Sequence, residues 1–425
     1  MKANSSKKRH ALWRRMDNMA LMFTPSASRQ DPLVIRIGFT LDEQVEPDRL
    51  QRALDKTLAF VPYFRSVIRK GLFWYYLEES DLCPLVHEEN RPPCSPLYNR
   101  GAPGLLFDVS YFGNRISLEA FHALVDGAGA INFLKAVTLF YFHERWGGPE
   151  PDLDFFPSGT DAGQDNINKH YQKSANRLPA KRIKTYHLHG EQIPEYRLSV
   201  VEGCMPVSGL LALAKASQAT LTEYITALLI DAIGRTMTRR EKRRSVVITI
   251  PADMRQYFPL DKSSRNFFSI MNISHRFSDD DSFSEVLAAV REQFKEKSNR
   301  ASLLDRMNRM ASIEHNFAIR AVPLLIKVPA LRVFHRQAKR GVTASFSNVG
   351  RVTFPPHIQP HILDVSSMSS TKELHICTSS SGDVISITFA SHFRNLNVQR
   401  FFFQTLAQQG LSITISETNG EEVDA

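Results

Sequence analysis

The sequence predicts a layered α/β protein made of two halves. Strand-like and amphipathic helical segments follow one another in a mixed order, which fits helices packed on sheets. At 425 residues the chain exceeds one ordinary core and suits two domains or one large pseudo-two-fold body. A polar stretch rich in Gly, Asp, Asn, Gln and Ser, from Pro157 to Pro179, separates the two runs of elements. We therefore divide the chain into residues 1–156, a loop or linker at 157–190, and residues 191–425.

In the first half, Leu33 to Leu41 reads as a strand and Glu46 to Phe60 as a helix, with Leu50, Leu54 and Leu58 four residues apart. Val61 to Arg69 and Phe73 to Leu77 read as strands joined by a turn at Lys70-Gly71. Leu105 to Val109 and Arg115 to Phe121 form a predicted hairpin around Gly113-Asn114. Ala128 to Phe142 then carries a helical stripe through Ile131, Leu134, Val137 and Tyr141.

The second half opens with a strand at Tyr196 to Val201 and a helix at Val207 to Ala216. Thr220 and Glu223 fit a capping box ahead of a helix whose stripe is Leu221, Ile225, Leu228, Leu229 and Ala232. Ser245 to Ile250 is nearly all β-branched, as a strand covered on both faces requires. A helix at Ser282 to Lys297 follows. Strands at Ala344 to Phe346, Ile362 to Val365, His375 to Thr378 and Val384 to Phe389 precede a last helix at Val398 to Gln408.

Composition narrows the function classes. With 43% hydrophobic and 23% charged residues, the chain can bury substantial cores. The net charge of +9 suits anionic substrates. It is mostly spread out, with no zinc-finger spacing and no aromatic–basic strand, so nucleic acid is not expected as a partner. Cys83, Cys94, Cys204 and Cys377 form no C-x-x-C pair, so buried free thiols are expected, with no metal site. Met1 to Arg15 is basic with no apolar run after it, unlike a signal peptide. The greasy stretch Ala321 to Val333 is interrupted by Lys327, Arg332 and two prolines and is too short to span a bilayer. A cytoplasmic protein is expected.

The chemistry concentrates in Phe121-His122-Ala123-Leu124-Val125-Asp126-Gly127. His122 ends a strand and shares the parity of Ile116, Leu118 and Ala120, so it should face the buried side. An imidazole there can accept a proton near neutral pH. Asp126 sits where the strand gives way to the helix, a natural N-cap. Gly127 to Ala130 keep the turn small, so a ligand or another segment can come close. Taken alone, the pattern reads equally as a satisfied core histidine followed by a plain cap. Two metal ligands four apart lack a third nearby, and no G-x-S-x-G marks a serine nucleophile.

Other segments shift that balance. Thr249-Ile250-Pro251-Ala252-Asp253-Met254-Arg255 resembles the P-x-D-x-R stretch of peptide-synthetase condensation domains, and Arg265-Asn266-Phe267 the R-N-x after it. Ser345-Phe346-Ser347-Asn348-Val349-Gly350 resembles an S-N-x-G segment. With His122, Asp126 and Gly127 on H-x-x-x-D-G, nearly the whole chain resembles the CoA-dependent acyltransferase superfamily, most of all its bacterial alcohol acetyltransferase-like members. Phe121 stands where condensation domains usually carry a first histidine, and the D-F-G-W-G motif of the plant branch is absent.

The resemblance implies two chloramphenicol-acetyltransferase-like halves meeting along a tunnel. It implies acyl transfer from acyl-CoA to an alcohol or amine, with His122 as general base, no bound cofactor and no metal. An acyl carrier protein is the alternative donor, and a non-catalytic protein that kept the fold is a reading from another class. Asp126 is expected to shape the turn and pair with Arg255, and Asn348 or a nearby N–H to help hold an oxyanion. Against these stand an ordinary ion pair for Arg255 and a bulge residue for Asn348. Two halves in one chain make a monomer sufficient. The run Arg235, Arg239, Arg240, Lys242, Arg243 and Arg244 could dock phosphates, but a solvated helix end is the reading we favour.

Overall fold

The computed structural model describes residues 12–156, 165–173, 183–194, 197–258, 263–278 and 281–418. Half of the expected linker 157–190, and Tyr196, lie outside the described residues. Two large sheets and one small sheet form the scaffold. The five-stranded sheet runs in the order Ile362–Ser369, Val34–Leu41, Arg115–Phe121, Phe107–Phe112 and His87–Glu88. Phe107–Phe112 and Arg115–Phe121 pair antiparallel across Gly113, which takes a positive φ of 56° at the expected turn. Pairing of Val34 with Phe121 brings Leu33 beside His122, whose N–H donates to the Leu33 carbonyl at 2.8 Å.

The edge strand of this sheet comes from far along the chain. Ile362–Ser369 lies antiparallel to Val34–Leu41, so the division into 1–156 and 191–425 divides the chain and not the sheets. The helices Pro47–Phe60 and Gly127–Trp146 pack together over the same core, burying Leu50, Leu54 and Leu58 with Phe133, Leu134 and Val137. Burial on this scale, at about 25 cal/mol per Å² of apolar surface, is what holds the layers together.

The seven-stranded mixed sheet runs Phe268–His275, Val246–Asp253, Ala344–Arg351, Leu374–Ser381, Val384–Ser391, Ser199–Pro206 and Thr414–Thr418. The helices Leu221–Thr236, Phe283–Lys297 and Asn397–Gln408 pack with it around Ile225, Leu229, Phe389 and Phe402. The capping box forms as the sequence predicts, with Thr220 accepting from the Glu223 N–H and Glu223 accepting from the Thr220 N–H. Where the sheets meet, the Ser367 hydroxyl donates to Ser379 Oγ at 3.1 Å, and Ser379 donates to the Val365 carbonyl at 2.7 Å.

Several expectations need correction. Val61 to Arg69 is not one strand: Pro62–Arg65 is a 3-10 turn, since Pro62 has no N–H to give a ladder, and the strand is Ser66–Lys70. The thiols are free, but only Cys94 and Cys377 are buried, and Cys83 is exposed. The sequence reading missed the strand Phe268–His275 and the helices Asn18–Ser26, Arg300–His315 and Leu324–Lys339. Asn18–Ser26 is short and contains Pro25. Among its described side chains, Arg300–His315 buries the narrow stripe Leu303, Met307 and Ala311, with Asn308 beside it. The greasy stretch at 321–333 falls largely in Leu324–Lys339, and no described helix is long and apolar enough to cross a membrane.

Candidate active site

A cavity of about 290 Å³ lies between the two large sheets. Its walls are Ile35, Ile37, His122 and Ser367–Ser369 from one sheet and Thr249, Pro251, Phe268, Ile270, Ser345, Ser347 and His375 from the other. Met19 and Phe23 close it from the helix Asn18–Ser26. The His122 ring is half-buried, 4.7 Å from the Phe23 ring and 5.8 Å from that of Phe268. This burial holds its pKa below the ordinary histidine value, although the nearby Asp126 charge and the Asn266 hydrogen bond work the other way.

Asn266 fixes the state of that ring. His122 Nδ1 is 3.0 Å from Asn266 Oδ1, while Asn266 Nδ2 donates to the His122 carbonyl at 3.0 Å and to Asp17 at 3.2 Å. Nδ2 faces only acceptors, so the amide orientation is set by its partners. Oδ1 is then an acceptor, Nδ1 carries the proton, and Nε2 keeps the basic lone pair. Asp17 is fully buried. Burial pushes its pKa up to about 6 in spite of the Arg265 guanidinium, whose Nε is 3.3 Å away. Asp17 also caps the helix Asn18–Ser26 by accepting from the Ala20 N–H.

Asp126 caps the helix Gly127–Trp146 by accepting from the Gly129 N–H at 3.0 Å, and it also accepts from the Phe267 N–H at 3.1 Å. Arg255 meets it with two nitrogens, at 2.9 and 3.2 Å, and donates further to Asp253 and to the Ser263 and Arg265 carbonyls. Burial works against the Arg255 charge, but Asp126 and Asp253 outweigh it and raise the pKa. Gly127 lines the cavity, and a Cβ there would meet nothing within 4 Å. Gly129 is the crowded one: a Cβ would lie 2.3 Å from the Ser264 carbonyl oxygen.

Asn348 lines the cavity, with its amide engaged by Thr222, Thr378 and the Gly350 N–H at a bulge in Ala344–Arg351. The structure thus brings His122, Asp126, Gly127, Arg255 and Asn348 around one cavity. The run 235–244 does not line it, and Arg235 pairs with Asp231. No group of three His, Cys, Asp or Glu able to hold a metal occurs among the described residues. Sequence reasoning missed Asp17 and His375. Burial lowers the pKa of His375 to about 4, and its Nε2 is 3.1 Å from Ser347 Oγ. Its signal was slight: a lone histidine entering the strand Leu374–Ser381.

The fold of two α/β lobes meeting at this cavity is similar to that of solved acetyltransferases and condensation domains. TRI3 trichothecene 15-O-acetyltransferase from Fusarium sporotrichioides matches with a TM-score of 0.60 at 10% identity, over 95% of this chain and 96% of that one. F. graminearum TRI101, complexed with coenzyme A and T-2 mycotoxin, matches at 0.63 and 9% identity, over 95% and 100%. The first condensation domain of the calcium-dependent antibiotic synthetase matches at 0.59 and 15% identity, over 93% and 96%. No protein-family model and no curated protein matches the sequence.

Proposed function

We propose that the protein is an acyltransferase that moves an acyl group from acyl-CoA to an alcohol or amine, most like the alcohol acetyltransferases. The observation that carries this reading is the His122–Asn266 contact at 3.0 Å, which leaves Nε2 of a cavity-lining imidazole as the base. Likeness to an O-acetyltransferase and to a protein complexed with coenzyme A supports acyl-CoA as cosubstrate.

In the reaction, His122 Nε2 takes the proton of the acceptor hydroxyl or amine as its oxygen or nitrogen attacks the thioester carbonyl. The tetrahedral intermediate collapses, the C–S bond breaks, and the imidazolium returns the proton to the departing thiolate. Both substrates held in one cavity make an acyl-enzyme unnecessary. Ser345, which lines the cavity, is our candidate donor to the oxyanion, while the Ser347 hydroxyl meets His375 Nε2. We assign Asn348 to holding the bulge, because Thr222, Thr378 and Gly350 already engage its amide. His375, with its pKa near 4, is the poorer base at neutral pH. Asp126 and Arg255 position the turn that carries His122.

The test is thiol release from a panel of acyl-CoAs with pooled alcohols and amines. Release should require an acceptor and should fall by about 10²- to 10⁴-fold in His122→Ala. Normal turnover in that variant would overturn the mechanism. The condensation-domain likeness supports a carrier-bound donor as the second reading. Turnover with an acylated carrier protein but with no acyl-CoA would establish that reading instead.

A further inference from the structure

The helix Leu324–Lys339 carries an apolar stripe that faces away from the protein. Leu325, Ile326, Pro329, Ala330, Val333 and Phe334 recur at i, i+1, i+4, i+5, i+8 and i+9, and all six are exposed. Leu325 is 74% exposed and Ile326 66%. Ordinary packing turns such a stripe inward. Here the buried positions of the helix are Leu324 and Lys327 instead.

The stripe does not stand alone. The Leu324 N–H donates to the Leu72 carbonyl at 2.9 Å, and Lys327 Nζ donates to the Phe73 carbonyl at 3.0 Å. That places the turn bearing Leu72, 71% exposed, and Phe73 against the start of the helix. Phe317, 83% exposed, lies on the short helix just before it. From residue 325 to 334 the stripe runs about 14 Å along the helix axis. An exposed apolar surface of this extent marks an interaction site.

Charge decides what it meets. Between His315 and Arg340 the sequence contains no Asp or Glu, but it contains Arg320, Lys327, Arg332, Arg336, Lys339 and Arg340. Of these, Lys339 is paired with Asp31 and Glu373. Arg332, whose Nε donates to the Pro25 carbonyl, Arg336 and Arg340 border a cavity of about 600 Å³ with Lys372, and its two carboxylates, Asp31 and Glu373, are those that pair with Lys339. A convex helix with leucine, isoleucine and phenylalanine outward and cations beside them has the composition of an interfacial helix. The unbalanced cations fit the phosphates of anionic lipid headgroups.

We infer that this helix and the Leu72–Phe73 turn form a docking surface for an anionic lipid bilayer. The stripe enters the acyl boundary, and Arg332, Arg336 and Arg340 sit at the headgroups. The same helix packs on Asn18–Ser26, which supplies Met19 and Phe23 to the cavity wall, so a docked protein would hold its cavity close to a lipid surface. The inference concerns binding and is independent of the transfer reaction.

The experiment is co-sedimentation of the full chain with vesicles of phosphatidylcholine alone or mixed with phosphatidylglycerol, at low and high salt. Binding should require phosphatidylglycerol and weaken with salt. It should fall at least about tenfold in a Leu325→Glu, Ile326→Glu double variant and, independently, in Val333→Glu, Phe334→Glu. Because these side chains are exposed, circular dichroism and melting temperature should be unchanged. No binding to the mixed vesicles, or equal binding by both folded double variants, overturns the inference. So does light scattering that shows a dimer dissociated by these substitutions, which would make the stripe a face between two copies. Binding of an acidic carrier protein that the same variants abolish, without vesicle binding, also overturns it.

Discussion

Asn266 joins His122 to Asp17 through one amide, and that amide sets which ring nitrogen is basic. Removing it should leave the imidazole in place but free its tautomer. In Asn266→Ala we expect turnover to fall roughly 10- to 100-fold, with a smaller effect on KM. A loss confined to stability would assign Asn266 a purely structural role. The pH profile gives a second reading of the same ring. The base must be neutral, and burial lowers its pKa below the ordinary 6.5. The acid limb of kcat/KM should therefore lie below pH 6.5, with a plateau through neutrality, and a midpoint above 6.5 would contradict the environment described for His122. Residue identity and turn chemistry in the sequence pointed to His122 and Asp126. Asp17 and Asn266 were harder to assign, since their meaning depends on contacts across 249 positions that no local pattern encodes.

At the scale of elements, the turn after the histidine strand contains two glycines with different duties. A Cβ on Gly129 would press on Val125 Cγ2, at 2.5 Å, and on the Ser264 carbonyl, which cannot move without its backbone. Gly129→Ala should cost about 1–3 kcal/mol in urea unfolding. Gly127→Ala should stay within about 0.5 kcal/mol, because its Cβ would enter open space. Equal effects at both positions would refute this assignment. The sequence marked Gly127 by its motif, while the close approach that needs a glycine occurs at Gly129 and depends on where the 263–267 segment lies. The hairpin, the capping box and the long helices were legible for the opposite reason, since turn residues, caps and apolar periods are local. The helix Leu324–Lys339 escaped because Pro329 lies inside it and Lys327 and Arg332 interrupt its apolar run, so the stretch read as broken.

On the scale of the whole molecule, the first core is completed by residues from the second half. Met254, Phe267, Leu303, Met307 and Val365 all pack into it. The bond from Arg255 to Asp126 reaches across the same junction, and its magnitude can be separated from that of the cap. A lost cap costs about 1 kcal/mol. Arg255 is half-buried and keeps Asp253 and two backbone carbonyls, so losing its Asp126 partner costs on the order of 1–3 kcal/mol. Asp126→Asn keeps an N-cap oxygen but removes the charge, so it should retain most of the destabilisation of Asp126→Ala. If Asp126→Asn is as stable as the parent, the cap alone matters and the ion pair contributes little. The two halves should then be inseparable in folding. A fragment 1–190 lacks the edge strand Ile362–Ser369 and every second-half residue of its core, which leaves Val34–Leu41 paired on one side only, with Arg115–Phe121, and Phe39 without the Phe354 ring. We expect the fragment to show no cooperative melt, and the full chain to unfold in one calorimetric transition whose midpoint Asp126→Ala lowers as a whole. Two resolved transitions, with only the first shifted by Asp126→Ala, would show instead that the halves fold as separate bodies and that the cavity between them is an interface rather than part of one core.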